Sequence, residues 1–372
     1  LEQTGDALAV FNELYMLDPD SAREAFDLAS GEVHASVNHL VRLGTDLFTA
    51  TLRNQGIAGL ATGSSDKMAA SPALGYFDDG QYGGSFDTVA NRRVQAAWGG
   101  LVGSVSDIGG DGNAAEYDMA VGGVVGGYQG QGTLGEGTFV AGFGAGYLAG
   151  DSRIEARLSD ADTASANFGA YGAWTDGVWT LSGVAAYAAT HVSTERRILF
   201  GDIDRTADAG YWTHTFAIDA EAARAFDMGG FTLSPLVSLN AGHTGHGLAQ
   251  ESGAGALDLA IASDGSGWFD TGLGLELART IITPEGTRFS ARAKAVWEHA
   301  FAGVTPTQDI SLAGSPTGFT VAGPDAGSDR LKLEFNLDIA MGENVDIFAG
   351  YGARISTSGH AHSANIGIKA SF

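Results

Sequence analysis

From His362 to Phe372 the chain alternates: Ala364, Ile366, Ile368, Ala370 and Phe372 take one face, and Ser363, Asn365, Gly367, Lys369 and Ser371 the other. Side chains of a strand point to opposite faces with period two, so this segment predicts a strand that is apolar on one side and polar on the other. Its length suits a tilted strand crossing the hydrocarbon core of a bilayer. Weaker versions of the pattern recur upstream. Candidate strands fall at 92–104, 117–129, 137–149, 164–175, 178–191, 212–226, 231–243, 268–280, 287–301, 329–341, 344–354 and 362–372. The gaps between them alternate long and short, as in a membrane barrel with long loops at one end and tight turns at the other. The short gaps carry turn chemistry, for example Asp176-Gly177 and Met228-Gly229-Gly230.

The polar faces carry charge. Leu331, Leu333, Phe335, Leu337 and Ile339 oppose Arg330, Lys332, Glu334, Asn336 and Asp338. One strand earlier, Phe289, Ala291, Ala293, Ala295 and Trp297 oppose Arg288, Ser290, Arg292, Lys294 and Glu298. A basic side chain at mid-bilayer costs roughly 2–4 kcal/mol, so these faces are assigned to a wet interior. Asp219 and Glu221 are placed on the same inner face. The fold expected is all-β: a 12-stranded antiparallel transmembrane β-barrel with a polar lumen of mixed charge.

Residues 1–91 follow another period. Asp18 before Pro19 starts a helix, and Gly31 ends it. Val33, Val37, Leu40, Gly44, Leu47, Phe48 and Thr51 then recur at three- and four-residue spacing, predicting a second helix from Ala35 to Asn54. At 1.5 Å per residue that helix is about 30 Å long, the thickness of a bilayer's hydrocarbon core. It carries His39, Arg42, Asp46 and Arg53, too many polar groups to face lipid, so it is assigned to the barrel's lumen. The alternative is a small soluble helical domain. Residues 56–91, rich in Gly, Ser and Asp, read as a linker to the first strand.

Composition sharpens the picture. There are 56 Gly, 7 Pro and no Cys, so no disulfide framework exists and closure of the hydrogen-bond ladder must supply stability. The net charge of −24 repels phosphate and argues against a nucleic-acid partner. Acids cluster in two of the gaps: Asp151, Glu155, Asp160 and Asp162, then Glu195, Asp202, Asp204 and Asp208. They read as solvated loops or, more sharply, as sites where divalent cations bridge to anionic lipid headgroups. The chain does not begin with Met and shows no signal-peptide pattern, which reads as a mature or truncated chain.

Candidate chemistry adds little. Gly150-Asp151-Ser152 lacks the strand-to-turn context of a nucleophile, and the pairs His243/His246 and His360/His362 lack neighbouring carboxylates or Cys for a metal. No catalytic residue, metal site or cofactor is expected. Trp98, Trp174, Trp179, Trp212, Trp268 and Trp297 read as interfacial girdles.

Three stretches carry a family resemblance: Ser30-Gly31-Glu32-Val33-His34-Ala35-Ser36, Trp297-Glu298-His299-Ala300-Phe301, and Phe319-Thr320-Val321-Ala322-Gly323-Pro324. Leu233-Ser234-Pro235 and Glu251-Ser252-Gly253-Ala254-Gly255-Ala256-Leu257 fit the same order. The chain resembles the C-terminal translocator unit of monomeric autotransporters, the type V secretion proteins. The resemblance implies an outer-membrane barrel of a Gram-negative bacterium that exports its own N-terminal passenger to the cell surface, the helix then occupying the pore. It implies no enzyme activity. By this likeness residues 1–34 are the helical remnant of the passenger, 35–91 the lumen helix and linker, and 92–372 the barrel. The implied partners are outer-membrane lipid and lipopolysaccharide, the barrel-assembly machinery, periplasmic chaperones and the passenger itself, with the translocator monomeric. Phe372, with Ile366 and Ile368, matches the family's assembly signal. Some members cut their own chain at an Asn-Asn pair, using lumen acids. Here Asn54 is followed by Gln55 and no adjacent Asn pair exists, so self-cleavage is not expected; Asp219, Glu221 and Glu298 would be the acids to test. The alternative reading is a diffusion porin or channel with a small N-terminal helical domain.

Overall fold

The alternating segments pair, in chain order, into one closed sheet. In the computed structural model, which describes residues 5–62, 95–342 and 344–372, the strands are β1 (Gln95–Ile108), β2 (Tyr117–Leu134), β3 (Gly137–Ile154), β4 (Ser159–Thr175), β5 (Trp179–Phe200) and β6 (Ile203–Arg224). They continue as β7 (Thr232–His246), β8 (Asp264–Ile282), β9 (Arg288–Ala302), β10 (Asp329–Ala340), β11 (Val345–Ile355) and β12 (Gly359–Ser371). Each is antiparallel to its sequence neighbour, and β12 pairs with β1 from Ala96↔Ser371 to Ile108↔Gly359. The seam finishes with Phe372, whose N–H donates to the Gln95 carbonyl at 2.8 Å. No edge is left in the ring, so every wall strand finds partners on both sides.

Large apolar side chains stand exposed on the outer face, among them Phe143, Phe168, Phe216, Leu275, Phe335 and Ile366. A belt of that size is the informative kind of exposure, and lipid is the solvent that suits it.

All twelve expected strands are present, but their heights are not those read from the pattern. β5 and β6 reach 22 residues each, against 12 in β10. The acids assigned to two loops lie mostly on strands: Asp151 on β3, Asp160 and Asp162 on β4, Glu195 on β5, and Asp204 and Asp208 on β6. Only Glu155 and Asp202 stay in the connections. These strands rise past the apolar belt. Their outer face turns polar, while the inner face stays buried but mixes Thr194 and Arg196 with Ile198 and Phe200, so the apolar–polar alternation fades. The β3–β4 and β5–β6 connections are therefore tight, and the true long loops are those between β7 and β8 and between β9 and β10. Four short strands in these two loops, 249–250, 259–261, 307–312 and 318–322, form a small second sheet. At the opposite end Gly177, Gly229 and Gly230 turn the chain with positive φ.

Three helices precede the barrel. α1 (Asp6–Met16) was not read from the sequence. α2 (Pro19–Ala29) starts where Asp18 accepts from the N–H groups of Asp20 and Ser21 at 3.0 and 3.1 Å. Gly31, at φ +74°, turns the chain into α3 (Glu32–Thr62), which begins earlier and ends later than the apolar spacing indicated. The expected linker overlaps α3 up to residue 62, while 63–91 and the first expected strand residues, 92–94, lie outside the described residues.

α3 runs inside the barrel. Its first turn lies among the long loops, and its last turns reach Gln129, Val140 and Tyr171 near the tight-turn end. α1 and α2 stay outside, on the long-loop side, where Val10 and Ala25 pack with Ile198, Phe200 and Ile203 of the tall β5–β6 hairpin and with Leu257.

Candidate functional site

α3 has two faces, and the lumen has two matching walls. On one side Phe48 and Leu52 are almost fully buried against β3 and β4. Glycines make room for them: a Cβ at Gly144 or Gly169 would collide with the Leu52 side chain, and one at Gly146 would press on Phe48. Here Gly in a strand marks close approach of another element.

The other wall is ionic. Arg53 donates to both carboxylate oxygens of Asp219 on β6 at 2.9 Å and to Glu334 on β10 at 2.8 Å. Asp46 meets Arg354 of β11 at 2.9 Å, and Arg354 also reaches Glu298 of β9 at 3.0 Å. Arg42 pairs with Asp270 of β8 and lies 5.3 Å over the Trp268 ring. His39 shares a hydrogen bond with the Tyr117 hydroxyl, and Asn54 donates to Asn336 at 3.2 Å.

Wall residues answer one another as well. Lys294 meets Glu221 at 2.7 Å, Lys332 meets Glu334 at 2.9 Å, Arg292 lies 3.6 Å from Asp338, and Arg288 lies 3.9 Å from Asp346. Buried charge is tolerated only when paired, and pairing here draws on helix and wall together. A cavity of about 80 Å³ remains between α3 and strands β10–β12, lined in part by Asp46, Asn54, Lys332, Asn336 and Ser363. It has room for a few waters among polar partners.

Near each end of the lumen, described side chains bond to one another across the space beside α3. Toward the tight turns, the Trp98 indole N–H donates to the Tyr171 hydroxyl at 2.7 Å, which donates to Gln129 at 2.9 Å. Trp98 and Trp268 therefore point into the lumen, 5% and 6% exposed, and are not girdle residues; they fill space beside α3 that lipid never reaches. Trp179, Trp212 and Trp297 do face outward.

At the long-loop mouth Glu251, held in the β7–β8 loop, receives Arg196 of β5 at 2.5 Å and pairs with His34 of α3 at 2.8 Å. Burial pushes the Glu251 carboxyl up, but the hydrogen bonds from His34 and Arg196 prevail and hold it at about 2. Among the described residues, no group of His, Cys, Asp and Glu is arranged to hold a metal ion. What the arrangement can do is hold one helix in one register inside a closed wall.

A family profile described as "Autotransporter beta-domain" matches residues 97–352. The chain belongs to the autotransporter beta-domain family. An extracellular serine protease of Serratia marcescens is 24% identical over 276 residues, which is 73% of this chain and 26% of that protein. The chain thus spans about a quarter of that relative's length. Among solved structures, the translocator domain of the autotransporter NalP from Neisseria meningitidis is 16% identical with a TM-score of 0.56, covering 75% of this chain and 88% of its own. The beta domain of the Bordetella autotransporter BrkA is 19% identical with a TM-score of 0.55, covering 75% and 99%. These two share the fold. As an autotransporter beta-domain the barrel is an outer-membrane translocator, a secretion unit.

In this autotransporter beta-domain the singled-out residues separate by location. His39, Arg42, Asp46 and Arg53 lie on α3 inside the lumen, and Asp219, Glu221, Arg288, Arg292, Lys294, Glu298, Lys332, Glu334 and Asp338 lie on the wall around it. Ile366, Ile368 and Phe372 are exposed on the outer face near the seam, with the Phe372 ring 6.1 Å from Tyr128. Sequence reading missed Asp270, Arg354, Arg157 and Arg196, and it singled out Glu32, His34 and Glu251 only as members of the family stretches, without the contacts they make at the mouth. Asp270 and Arg354 could have been found as charges on alternating strand positions. Arg196 gave no signal, because its strand was ended before it.

Proposed function

We propose that this translocator exports its passenger through the barrel to the surface of a Gram-negative cell and retains α3 in the lumen afterwards, with α1 and α2 as the remnant of the passenger outside. One observation carries the reading. Both ends of the barrel sheet, Gln95 and Phe372, lie at the tight-turn end, yet the chain before Glu32 lies at the long-loop end. The N-terminal segment reaches that side only by way of the lumen, and the passenger is attached to it. In this reading residues 1–34 belong to the passenger, 35–91 to helix and linker, and 92–372 to the barrel. Phe372 with Ile366 and Ile368 forms the signal read by the barrel-assembly machinery, with periplasmic chaperones upstream. Lipopolysaccharide surrounds the protruding acidic strands, and the unit works as a monomer without chemistry of its own. A helix paired to its wall does not suit a diffusion porin.

The test is expression of the full-length chain in a Gram-negative host, with external protease and a passenger-directed antibody. Passenger signal on intact cells, lost on shaving, is the expected outcome. A passenger found only in the periplasm while the barrel is inserted would overturn the reading.

A further inference from the structure

The mouth has a construction that pore filling alone does not require. Five elements converge on the first turn of α3. Glu32 accepts the N–H of Ala115 from the β1–β2 loop and Arg157 Nε from the β3–β4 connection, both at 2.8 Å. His34 meets Glu251 of the β7–β8 loop, and Glu251 binds Arg196 of β5 and the N–H of Leu259 at 2.8 Å. Arg196 also donates to the carbonyls of Leu28 at the end of α2 and Leu257, at 3.1 and 3.0 Å. Side chains of His34, Glu251 and Arg196 are 0–1% exposed.

Over this turn lies the small sheet. Leu259 and Ile310 press so closely on Gly31 that a Cβ there would collide with Leu259. Ser36, one turn deeper, is fully buried, and Gly323 of the β9–β10 loop sits against it.

The closed arrangement of the loops depends on the turn beneath them. Without residues 31–34, Leu259, Ile261, Ile310 and Val321 would cover an open polar lumen, and Arg157 would lose the Glu32 carboxylate. Another segment of chain in the mouth would not supply these partners. A slip of one residue rotates a helix by roughly 100° and moves it 1.5 Å, which would take Glu32 and His34 from their partners together.

We propose that the turn Gly31–His34 is a latch: the long loops close over it when it arrives in the mouth, and closure both fixes the register of α3 and seals the lumen from outside. This rests on the export reading above and adds to it the residues that end transit and the loops that respond. While other chain occupies the mouth, the small sheet is open; the Glu251–Arg196–His34 cluster locks it last.

Residues 1–372 contain no Cys, so label recovered in this segment after proteolysis reports the introduced cysteine alone. In the full-length protein on intact cells, Ser36→Cys is treated with a membrane-impermeant maleimide, with Tyr15→Cys, at a site 79% exposed, as the external reference. With the native latch, Ser36→Cys is expected to resist labelling. Adding Glu251→Gln or His34→Asn is expected to raise its labelling rate about tenfold or more, while Tyr15→Cys labels as before and the barrel stays heat-modifiable on gels. Equal Ser36→Cys rates with and without the latch substitutions, in folded barrels, would overturn the proposal. If Glu251→Gln does not fold, His34→Asn decides. Failure of the export reading looks different: Tyr15→Cys would then label only in lysed cells.

Discussion

Replacing Arg53 by methionine tests what holds the helix in the pore. Arg53 is buried and bonds two carboxylates on opposite parts of the wall, Asp219 at 2.9 Å and Glu334 at 2.8 Å. Methionine keeps much of the volume but leaves both acids without this cation. Glu334 retains Lys332 at 2.9 Å, whereas Asp219 keeps no comparable ion pair among the described residues. Breaking a buried pair by removing one partner costs about 3–5 kcal/mol, and taking the lower figure allows for the lysine that remains. At 1.4 kcal/mol per factor of ten, about 3 kcal/mol raises the helix-released population about 100-fold. Single-channel recording in planar bilayers reads this directly: rare full-size openings in the native protein, frequent ones in Arg53→Met. The double variant Arg53→Met, Asp219→Leu should open less than Arg53→Met, because the uncompensated carboxylate is gone. Traces from Arg53→Met indistinguishable from the native protein would refute the idea that wall charges anchor the helix.

Other consequences are equally concrete. Gly144→Val places a side chain where Leu52 sits, so seating of α3 should weaken by about 1–3 kcal/mol, read as more openings in the same assay; an unchanged trace would show that the close approach is not needed. The Glu251 carboxyl is held at about 2 against an ordinary 4.5, so its contribution, about 3 kcal/mol, is complete above pH 4.5 and lost as the pH falls toward 2. Conductance should therefore stay low at pH 5 and rise below about pH 4, and opening already at pH 6 would contradict the carboxylate assignment. Phe372→Ser removes the exposed ring at the seam and should reduce the heat-modifiable, membrane-inserted fraction; normal insertion would count against an assembly role for this residue.

What the amino-acid order determined alone was the kind of wall. Alternation at Leu331 to Ile339 against Arg330 to Asp338 left no place for those charges but an aqueous interior, because lipid would reject them. The polar residues of the 35–54 segment, at helical period, likewise required a wet lumen around it. Strand height was not legible. Beyond the belt the outer face of β5 and β6 turns polar and their buried inner face mixes Thr194 and Arg196 with Ile198 and Phe200, so the apolar–polar period is lost from the sequence though burial still alternates. Nor was the direction of Trp98 or Trp268, because an indole suits a membrane interface and a crowded lumen equally well. The partnerships that make the site were decided by closure of the barrel. Arg53 with Asp219 and Glu334, and His34 with Glu251, join residues more than a hundred positions apart. Pattern along a chain reports which side of a surface a residue prefers, while the ring's register and the helix's depth choose which charge it meets.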